Sequence, residues 1–177
     1  MNYSVNKNKM MKALFTLLFI GLLSVSSDVH AQVKNSSFNF TLKMLLSGDV
    51  PEISIADAAK DGNQCLFLDA REQKEYNVSH LPNTRFIGYS EFSMAAMKGI
   101  EKDKPLVVYC SIGKRSEDIT RKLKKWGYTN VHNLYGGIFE WVNSGNTVYD
   151  LKDKPTDKVH AYGKLWGRFL EKGTKVY

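Results

Sequence analysis

The sequence predicts a three-layer α/β fold, in which a central, mostly parallel sheet of five strands carries helices on both faces. Three observations lead to this prediction. Short apolar runs typical of buried strands alternate with helix-like segments along the chain. The strongest run, PLVVYC at residues 105–110, has the pattern of a strand buried on both faces. Hydrophobic residues make up 43% of the 177 residues, which is enough for one core of ordinary size.

The first half of the chain supplies two helices and three strands. In SFNFTLKMLLSG, residues 37–48, apolar side chains recur at helical spacing and Gly48 marks the end. PEISIADAAKDG, residues 51–62, predicts a short strand followed by a short helix. CLFLDAR, residues 65–71, predicts a buried strand that ends in charged residues, and TRFIGY, residues 84–89, predicts a weaker strand.

The second half continues the alternation. Ser90 is expected to cap a helix through residues 91–99. After the strongest strand, SEDITRKLKKWGY at residues 116–128 predicts an amphipathic helix that a glycine terminates. NVHNLYGG at residues 130–137 predicts the last strand, and IFEWVNSG at residues 138–145 predicts the last helix.

The chain divides into four predicted segments. Residues 1–31 are predicted to be a signal peptide, residues 32–49 an N-terminal helical segment, residues 50–145 the α/β domain and residues 146–177 a C-terminal extension. In the extension, five apolar side chains fall on one stripe of a short amphipathic helix. We expect this helix to brace the domain; the alternative is a wall or lid beside the site. The five residues are Tyr162, Leu165, Trp166, Phe169 and Leu170.

The signal-peptide prediction depends on the order of three features. Lysines precede an apolar run at residues 13–23, and the small residues Val29 and Ala31 precede a cleavage position before Gln32. The apolar run is too short to span about 30 Å of hydrocarbon. We therefore expect a periplasmic or secreted protein with no stable membrane association after cleavage.

Composition argues against several classes of protein. Residues 1–31 carry three lysines and one aspartate, so their removal lowers the formal net charge from +7 to +5. This surplus forms no basic stripe interleaved with aromatic residues, so no nucleic-acid partner is predicted. The two cysteines, Cys65 and Cys110, make no disulfide framework, and no cysteine–histidine set has zinc-ligand spacing. No metal and no cofactor are predicted.

The segment CSIGKRS, which begins at Cys110, carries the candidate site. It joins the strongest strand to a helix, where backbone N–H groups converge and can stabilise a thiolate. Gly113 permits a tight turn, and Ser116 is expected to be the helix N-cap. Lys114 and Arg115 oppose the helix dipole, and we expect them to attract a dianionic substrate. The predicted site residues are catalytic Cys110 and substrate-binding Ser111, Ile112, Gly113, Lys114, Arg115 and Ser116.

At these residues the sequence resembles the single-domain rhodaneses, a family of sulfurtransferases. The pattern Cys110–x–x–Gly113–x–Arg115 is similar to the active-site loop of that family. FLDAREQKEYNVSHLPNTRFIG resembles its Asp-x-Arg strand end and His-x-Pro turn, and GYTNVHNLYGGIFEW resembles its final strand, double glycine and aromatic helix. The resemblance covers roughly residues 50–145.

The resemblance implies a rhodanese-like fold for residues 50–145 and a covalent mechanism. The Cys110 thiolate would take the outer sulfur of a donor such as thiosulfate and hold it as a persulfide, which cyanide or a thiol then discharges. Asp69 and Arg71 end a strand expected to neighbour that of Cys110. We expect them to pair with each other, with Arg71 adding positive charge to the pocket, and His80 to make structural hydrogen bonds.

Other functions remain open at this point. The chain could be a catalytically silent rhodanese-like binding module in which Cys110 is an inert buried hydrophobe. It could also be a cysteine phosphatase or arsenate-type reductase, although residues 111–114 make the loop one residue shorter than in those enzymes. A disulfide to Cys65 is not expected, because Cys65 begins its strand whereas Cys110 ends its own. The sequence identifies neither the physiological donor and acceptor nor the oligomeric state.

Overall fold

The computed structural model describes residues 33–62 and 64–177 of the chain. The predicted signal peptide, residues 1–31, lies outside these ranges and stays a prediction. Within the described ranges, no helix is both long enough and apolar enough to cross a bilayer.

The central sheet has five strands, and every neighbouring pair is parallel. In chain order the strands are β1 (Glu52–Ile53), β2 (Leu66–Asp69), β3 (Thr84–Phe86), β4 (Leu106–Tyr109) and β5 (Val131–Leu134). Their order across the sheet is β1, β5, β4, β2, β3, so β4 lies at the centre. All four residues of β4 are buried, as predicted for the strongest strand. The predicted five-stranded parallel sheet is confirmed.

Within residues 33–143 of the described chain, five α-helices accompany the sheet. They are α1 (Ser36–Leu45), α2 (Ile55–Lys60), α3 (Gln73–Tyr76), α4 (Lys114–Lys125) and α5 (Gly137–Asn143). Side-chain caps define two of the starts: Asn35 accepts a hydrogen bond from Phe38 N–H before α1, and Ser54 accepts one from Asp57 N–H before α2.

Two apolar cores lie on opposite faces of the sheet. Phe67, Val107 and Tyr109 belong to the core that α1, α2 and α5 cover. Leu68 and Val108 belong to the other core, which α4 covers. Because side chains alternate along β2 and β4, each strand contributes to both cores. The resulting arrangement is the three-layer fold that the sequence predicts.

The segment between β3 and β4 differs from its prediction. Its helix is a 3₁₀ turn, Met94–Met97, and the residue in the N-cap position is Ser93. Ser90 instead donates its hydroxyl to Glu72 Oε1 at 2.7 Å. The prediction of Ser90 as a helix cap is therefore wrong, because its side chain serves a carboxylate distant in sequence.

The C-terminal extension contains short strands and one turn of helix. Its elements are β6 (Val148–Tyr149), β7 (Pro155–Thr156), β8 (Lys158–His160), α6 (Lys164–Gly167) and β9 (Thr174–Val176). β6 and β7 pair antiparallel, whereas β8 and β9 pair parallel. The extension is thus a small mixed structure, in which the predicted short amphipathic helix is reduced to the single turn α6.

The predicted amphipathic helix fails at its first residue. Tyr162 has a φ of 62°, in the left-handed region, and cannot continue a right-handed helix. Phe169 and Leu170, at the other end of the stripe, are nevertheless buried in the same core as α1. The Phe169 ring stacks on Phe38 with the two centroids 4.7 Å apart. This part of the extension braces the domain.

Candidate active site

Cys110 follows the last residue of β4, at the carboxyl end of the central strand. It is only 1% exposed, and its Sγ accepts a hydrogen bond from the Gly113 N–H at 3.2 Å. An N–H group aimed at the sulfur favours negative charge there. The loop therefore supports the sulfur from its own backbone.

The N-terminus of α5, which begins at the double glycine of residues 136–137, holds this loop in place. The Ile138 N–H donates to Cys110 O at 2.9 Å, and the Phe139 N–H donates to Ser111 O at 3.1 Å. Gly137, which precedes them, has a φ of 57°. A Cβ on Gly137 would collide with Cys110 O and lie 2.8 Å from Ile112 N. Only glycine leaves room for α5 to approach the backbone of Cys110.

The N-cap of helix α4 lies three residues earlier than predicted. Its N-cap position is Gly113, with a φ of 113°. Ser116 therefore lies in the first helical turn, fully buried, with Oγ 2.7 Å from Asn133 Oδ1 and 3.1 Å from Gly113 O. The prediction of Ser116 as N-cap is wrong, because glycine reaches the left-handed conformation that starts the helix. Ser116 joins α4 to the neighbouring strand β5.

Lys114 is not a free cation in the structure. Its Nζ lies 2.8 Å from Glu117 Oε2 and 3.5 Å from Asp118 Oδ1, on the same helix. The Glu117 carboxylate is buried and also accepts N–H bonds from Ser47 and Gly48. Although Lys114 opposes the helix dipole, carboxylates three and four residues further on compensate for that cost.

Arg115 is paired as well, through two hydrogen bonds to Glu75 of α3. The distances are 2.7 Å from Nη1 to Oε2 and 2.8 Å from Nη2 to Oε1. Burial alone would raise the pKa of Glu75, but the bonds and charge of Arg115 outweigh it and lower the pKa to about 2. The expectation of two free cations beside the thiol therefore needs correction, since both face carboxylates.

Glu75 was not among the site residues predicted from the sequence, although one signal pointed to its position. Glu72 and Glu75 form a capping box at the start of α3, a pattern recognisable from the spacing of the two acids. That spacing shows why Glu75 lies in the first helical turn. It does not show that Arg115, 40 residues further on, supplies the charge partner.

Asp69 and Arg71 lie at the end of β2, next to β4 in the sheet. Both are fully buried, and Arg71 Nη2 lies 2.6 Å from Asp69 Oδ2 and 2.6 Å from Ser79 O. Tyr109 donates its hydroxyl to the same Asp69 oxygen at 2.6 Å. Burial first, and then the Asp69 charge, raises the pKa of Tyr109 well above its ordinary value. The cluster joins β2, β4 and the turn before His80.

A cavity of about 160 Å³ opens beside Cys110. The predicted residues among its walls are Cys110, Ser111, Ile112, Lys114 and Arg115. Three further residues line the cavity and were not among the predicted site residues. They are Leu45 of α1, Tyr162, and Trp166 of α6. Gly113 and Ser116 support the loop from outside the lining. The extension is therefore both a brace, at Phe169, and a wall, at Tyr162 and Trp166.

Tyr162 makes two contacts in its wall position. Its backbone N–H donates to His160 Nδ1 at 3.0 Å, and its ring lies 4.9 Å from the Arg115 guanidinium carbon. Burial lowers the pKa of His160, which keeps Nδ1 available as an acceptor. The sequence shows the aromatic side chain of Tyr162, but it does not show the left-handed backbone that directs this side chain to the cavity.

Comparison with known families decides the classification of this chain. A model of the rhodanese-like domain matches residues 53–144, which is just over half of the chain. The chain belongs to the rhodanese-like domain family. The family match contains Cys110, Glu75 and the double glycine, whereas the walls Leu45, Tyr162 and Trp166 lie outside it.

Relatives of this rhodanese-like chain include a longer curated protein. The tRNA uridine(34) hydroxylase of Escherichia coli (strain K12 / DH10B) is 32% identical over 99 residues, covering 53% of this chain and 28% of that protein. The chain thus matches little more than a quarter of the length of that relative. The hydroxylase activity named for it belongs to the longer protein.

Solved structures share the rhodanese-like fold at low sequence identity. The thiosulfate sulfurtransferase from Pseudomonas aeruginosa aligns with a TM-score of 0.54 at 20% identity, over 64% of this chain and 23% of that chain. The rhodanese-like domain of an Anabaena protein, solved by NMR, aligns with a TM-score of 0.53 at 19% identity, over 57% of this chain and 80% of that chain. These likenesses show the fold.

The second cysteine of the rhodanese-like domain lies apart from this cavity. Cys65 precedes β2, at the opposite end of the sheet from Cys110, and both cysteines are free, as expected. Burial raises the pKa of the Cys65 thiol, which disfavours its thiolate.

His80 makes the structural contacts that the sequence led us to expect. Its Nδ1 lies 3.0 Å from Leu81 O, and its ring stacks on Tyr76.

Proposed function

We propose that this rhodanese-like chain is a sulfurtransferase that carries sulfane sulfur as a persulfide on Cys110. The Cys110 thiolate attacks the outer sulfur of thiosulfate, the bond between the two sulfurs of the donor breaks, and sulfite leaves with that electron pair. Cyanide or a thiolate then attacks the outer persulfide sulfur and releases Cys110 as a thiolate. No oxidant, metal or cofactor is needed for either step.

The position of Cys110 is the observation that carries this proposal. Its sulfur lies at the end of the central strand, beside a backbone N–H donor, and lines an accessible cavity. A buried cysteine with only a packing role would have no reason to border a cavity next to a left-handed glycine turn. Membership of the rhodanese-like family adds support, because the matched region contains this loop.

Thiosulfate is the proposed donor, although the support from charge is weaker than the sequence suggested. Lys114 retains partial exposure at the cavity, with 35% of its side chain accessible, and it can contact a small anion. The guanidinium of Arg115 is held by Glu75 and is less available to the anion than Lys114. The proposed partners are therefore a small anionic sulfur donor and a thiol or cyanide acceptor, without nucleic acid.

The pairing of Arg115 also bears on the phosphatase alternative. A cysteine phosphatase needs its loop arginine to bind the phosphate oxygens in a bidentate manner. Here the two terminal nitrogens of Arg115 contact Glu75 and Ser111. An arginine so engaged fits a support for the loop better than a phosphate clamp.

Intact-mass measurement tests the proposal directly. Purified protein treated with thiosulfate and freed of excess donor should gain the mass of one sulfur atom. Cys110→Ser should fold, because serine fits where cysteine fits, yet gain nothing and form no thiocyanate from thiosulfate and cyanide. Cys65→Ser is the matched control and should behave like the parent protein.

Two results would contradict this function. Thiocyanate formation that survives Cys110→Ser would rule out the covalent route through this residue. A parent protein that never gains sulfur from thiosulfate or from any other sulfane donor would instead favour a silent binding module.

A further inference from the structure

The cavity at Cys110 combines walls from two sources. The active-site loop, with Cys110 and Ile112, comes from the rhodanese-like domain. Leu45 comes from α1, and Tyr162 and Trp166 come from the C-terminal extension, all beyond the matched residues 53–144. Apolar and aromatic surface from outside the family match therefore lies beside a loop that the match contains.

The charges around these walls do not favour a small anion as their ligand. Lys114 faces Glu117 and Asp118, and Arg115 faces Glu75, so both cations of the loop have carboxylate partners. The side chains of these walls are a leucine, a tyrosine and a tryptophan, which attract the apolar part of a ligand through removal of surface from water.

The cavity has the size of a single ring. Its volume of about 160 Å³ is close to the roughly 150 Å³ of an engineered cavity, lined by aliphatic and aromatic side chains, that binds benzene. A ring or a short alkyl chain fits this space, whereas a larger apolar body would protrude from it.

The walls are held in place before any ligand arrives. Trp166 packs against the buried core together with Leu45. The hydrogen bond to His160 and the contact with Arg115 fix Tyr162. A preformed apolar site loses little side-chain entropy on binding, which favours affinity.

We propose that Leu45, Tyr162 and Trp166 form a subsite for the apolar body of the acceptor, so that the physiological acceptor is a thiol on a ring-sized apolar group. This inference rests on the proposed sulfur transfer. Once the persulfide has formed, its outer sulfur lies in the cavity, and a thiolate must approach that sulfur in line with the bond to be broken. The body of the thiol then lies between these walls.

The transfer step balances without a further reactant. The acceptor thiolate forms a bond to the outer sulfur, the bond between that sulfur and Cys110 Sγ breaks, and its electron pair stays on Cys110. The products are the Cys110 thiolate and the persulfide of the acceptor. The apolar walls contribute by positioning the thiol along this path.

A single-turnover experiment tests the subsite. Protein is loaded with sulfur from thiosulfate, desalted, and mixed with phenylmethanethiol or with 2-mercaptoethanol, two alkyl thiols of similar basicity. The loss of the persulfide is followed by intact mass. We expect the rate constant to be about tenfold larger for phenylmethanethiol, in line with the selectivity of small hydrophobic pockets.

Variants assign that preference to the walls. Trp166→Ala should lower the rate constant with phenylmethanethiol by a larger factor than the rate constant with 2-mercaptoethanol, so that most of the preference is lost. Tyr162→Gly removes an exposed ring and keeps the left-handed backbone, so it reports on the same wall even if Trp166→Ala folds poorly. Leu165→Ala is the matched control, since Leu165 lies on the same helical turn, 62% exposed and outside the lining.

The outcomes separate this inference from the proposed function. Equal rate constants for the two thiols in the parent protein, or a preference that persists in both wall variants, would overturn the subsite while leaving sulfur transfer intact. An equal loss of preference in Leu165→Ala would also overturn it. Failure of the proposed function appears earlier, because no persulfide would form during loading.

Discussion

Arg115 and Glu75 form a two-bond ion pair that joins α4 to α3 beside the Cys110 loop, at 2.7 and 2.8 Å. Ser111, the residue after Cys110, completes the cluster. Its Oγ donates to Glu75 Oε1 at 3.0 Å and accepts from Arg115 Nη2 at 3.0 Å. Arg115 therefore links the Cys110 loop to the neighbouring helix α3.

A double-mutant cycle on this pair should show strong coupling. Glu75→Gln and Arg115→Ala should each lower the free energy of unfolding by about 3 kcal/mol, because each leaves a mostly buried charge or polar group without its partner. The double variant should lose clearly less than the sum. Urea denaturation measures all three. Strictly additive losses would show that the pair contributes nothing as a pair.

The same variants separate fastening from anion attraction. Glu75→Gln retains the cation but loosens it, whereas Arg115→Ala removes the cation. If Arg115 acts mainly as a fastener, both variants should lower kcat/KM for thiosulfate to a similar extent. Asp49→Ala, which removes an exposed partner of Arg121, is the control and should leave kcat/KM unchanged. A loss confined to Arg115→Ala would restore the free-cation interpretation.

Acidification should remove the contribution of Glu75 to stability. Arg115 lowers the pKa of Glu75 from its ordinary 4.5 to about 2 in the folded protein, despite the opposing effect of burial. A depressed pKa stabilises the folded state above the unfolded value, and that stabilisation disappears as the pH falls from about 5 to about 2. The loss from this group is about 3 kcal/mol. Unfolding free energies measured across this window should fall less steeply for Glu75→Gln than for the parent protein.

The sequence predicted the sheet and the position of Cys110 because both depend on local patterns. β4 is a continuous apolar run, and the cysteine follows it directly. The partners of the loop cations could not be predicted in the same way. Glu75 lies 40 residues from Arg115, and only the packing of α3 against the loop brings them together.

The structure of the C-terminal extension was mispredicted for a different reason, although a wall beside the site was one of the two roles considered for it. The stripe that contains Tyr162 and Trp166 fits a helix by spacing alone, but glycines at 163 and 167 weaken that helix by about 1 kcal/mol each. The parallel pairing of β8 with β9 constrains the chain on both sides of this stripe. Tertiary contacts of this kind override a marginal local preference.

Gly137→Ala should disable the active-site loop. Its Cβ would collide with the Cys110 carbonyl, and alanine would also be strained at a φ of 57°. Gly127→Ala is the matched control, because Gly127 also has a positive φ, 88°, but has open space around its Cβ position. We expect about 1 kcal/mol of destabilisation for Gly127→Ala from strain alone. Gly137→Ala should lose several times more and form little persulfide, measured by urea denaturation and intact mass.

Export of the chain remains a proposal with a direct test. The basic, apolar and small-residue order of residues 1–31 leads us to expect a mature N-terminus near Gln32 in the periplasm or the medium. N-terminal sequencing of exported protein checks this. Leu17→Arg, which interrupts the apolar run, should retain the uncleaved chain in the cytoplasm, whereas Asn6→Arg should not. Exported protein that still carries residues 13–23 would defeat the proposal.

The brace and the wall of the C-terminal extension should respond to different substitutions. Phe169 is 4% exposed and stacks on Phe38 of α1, so Phe169→Ala should lower the free energy of unfolding by about 3–5 kcal/mol. Trp166 is only partly buried, and Trp166→Ala should cost less stability while changing the cavity. Phe169→Ala should still form the Cys110 persulfide under conditions in which it is folded. Urea denaturation and intact mass, applied to both variants, measure the two effects separately. If Phe169→Ala unfolds at the same urea concentration as the parent protein, the extension does not brace the domain. The contact between Phe169 and Phe38 then adds nothing to the free energy of unfolding.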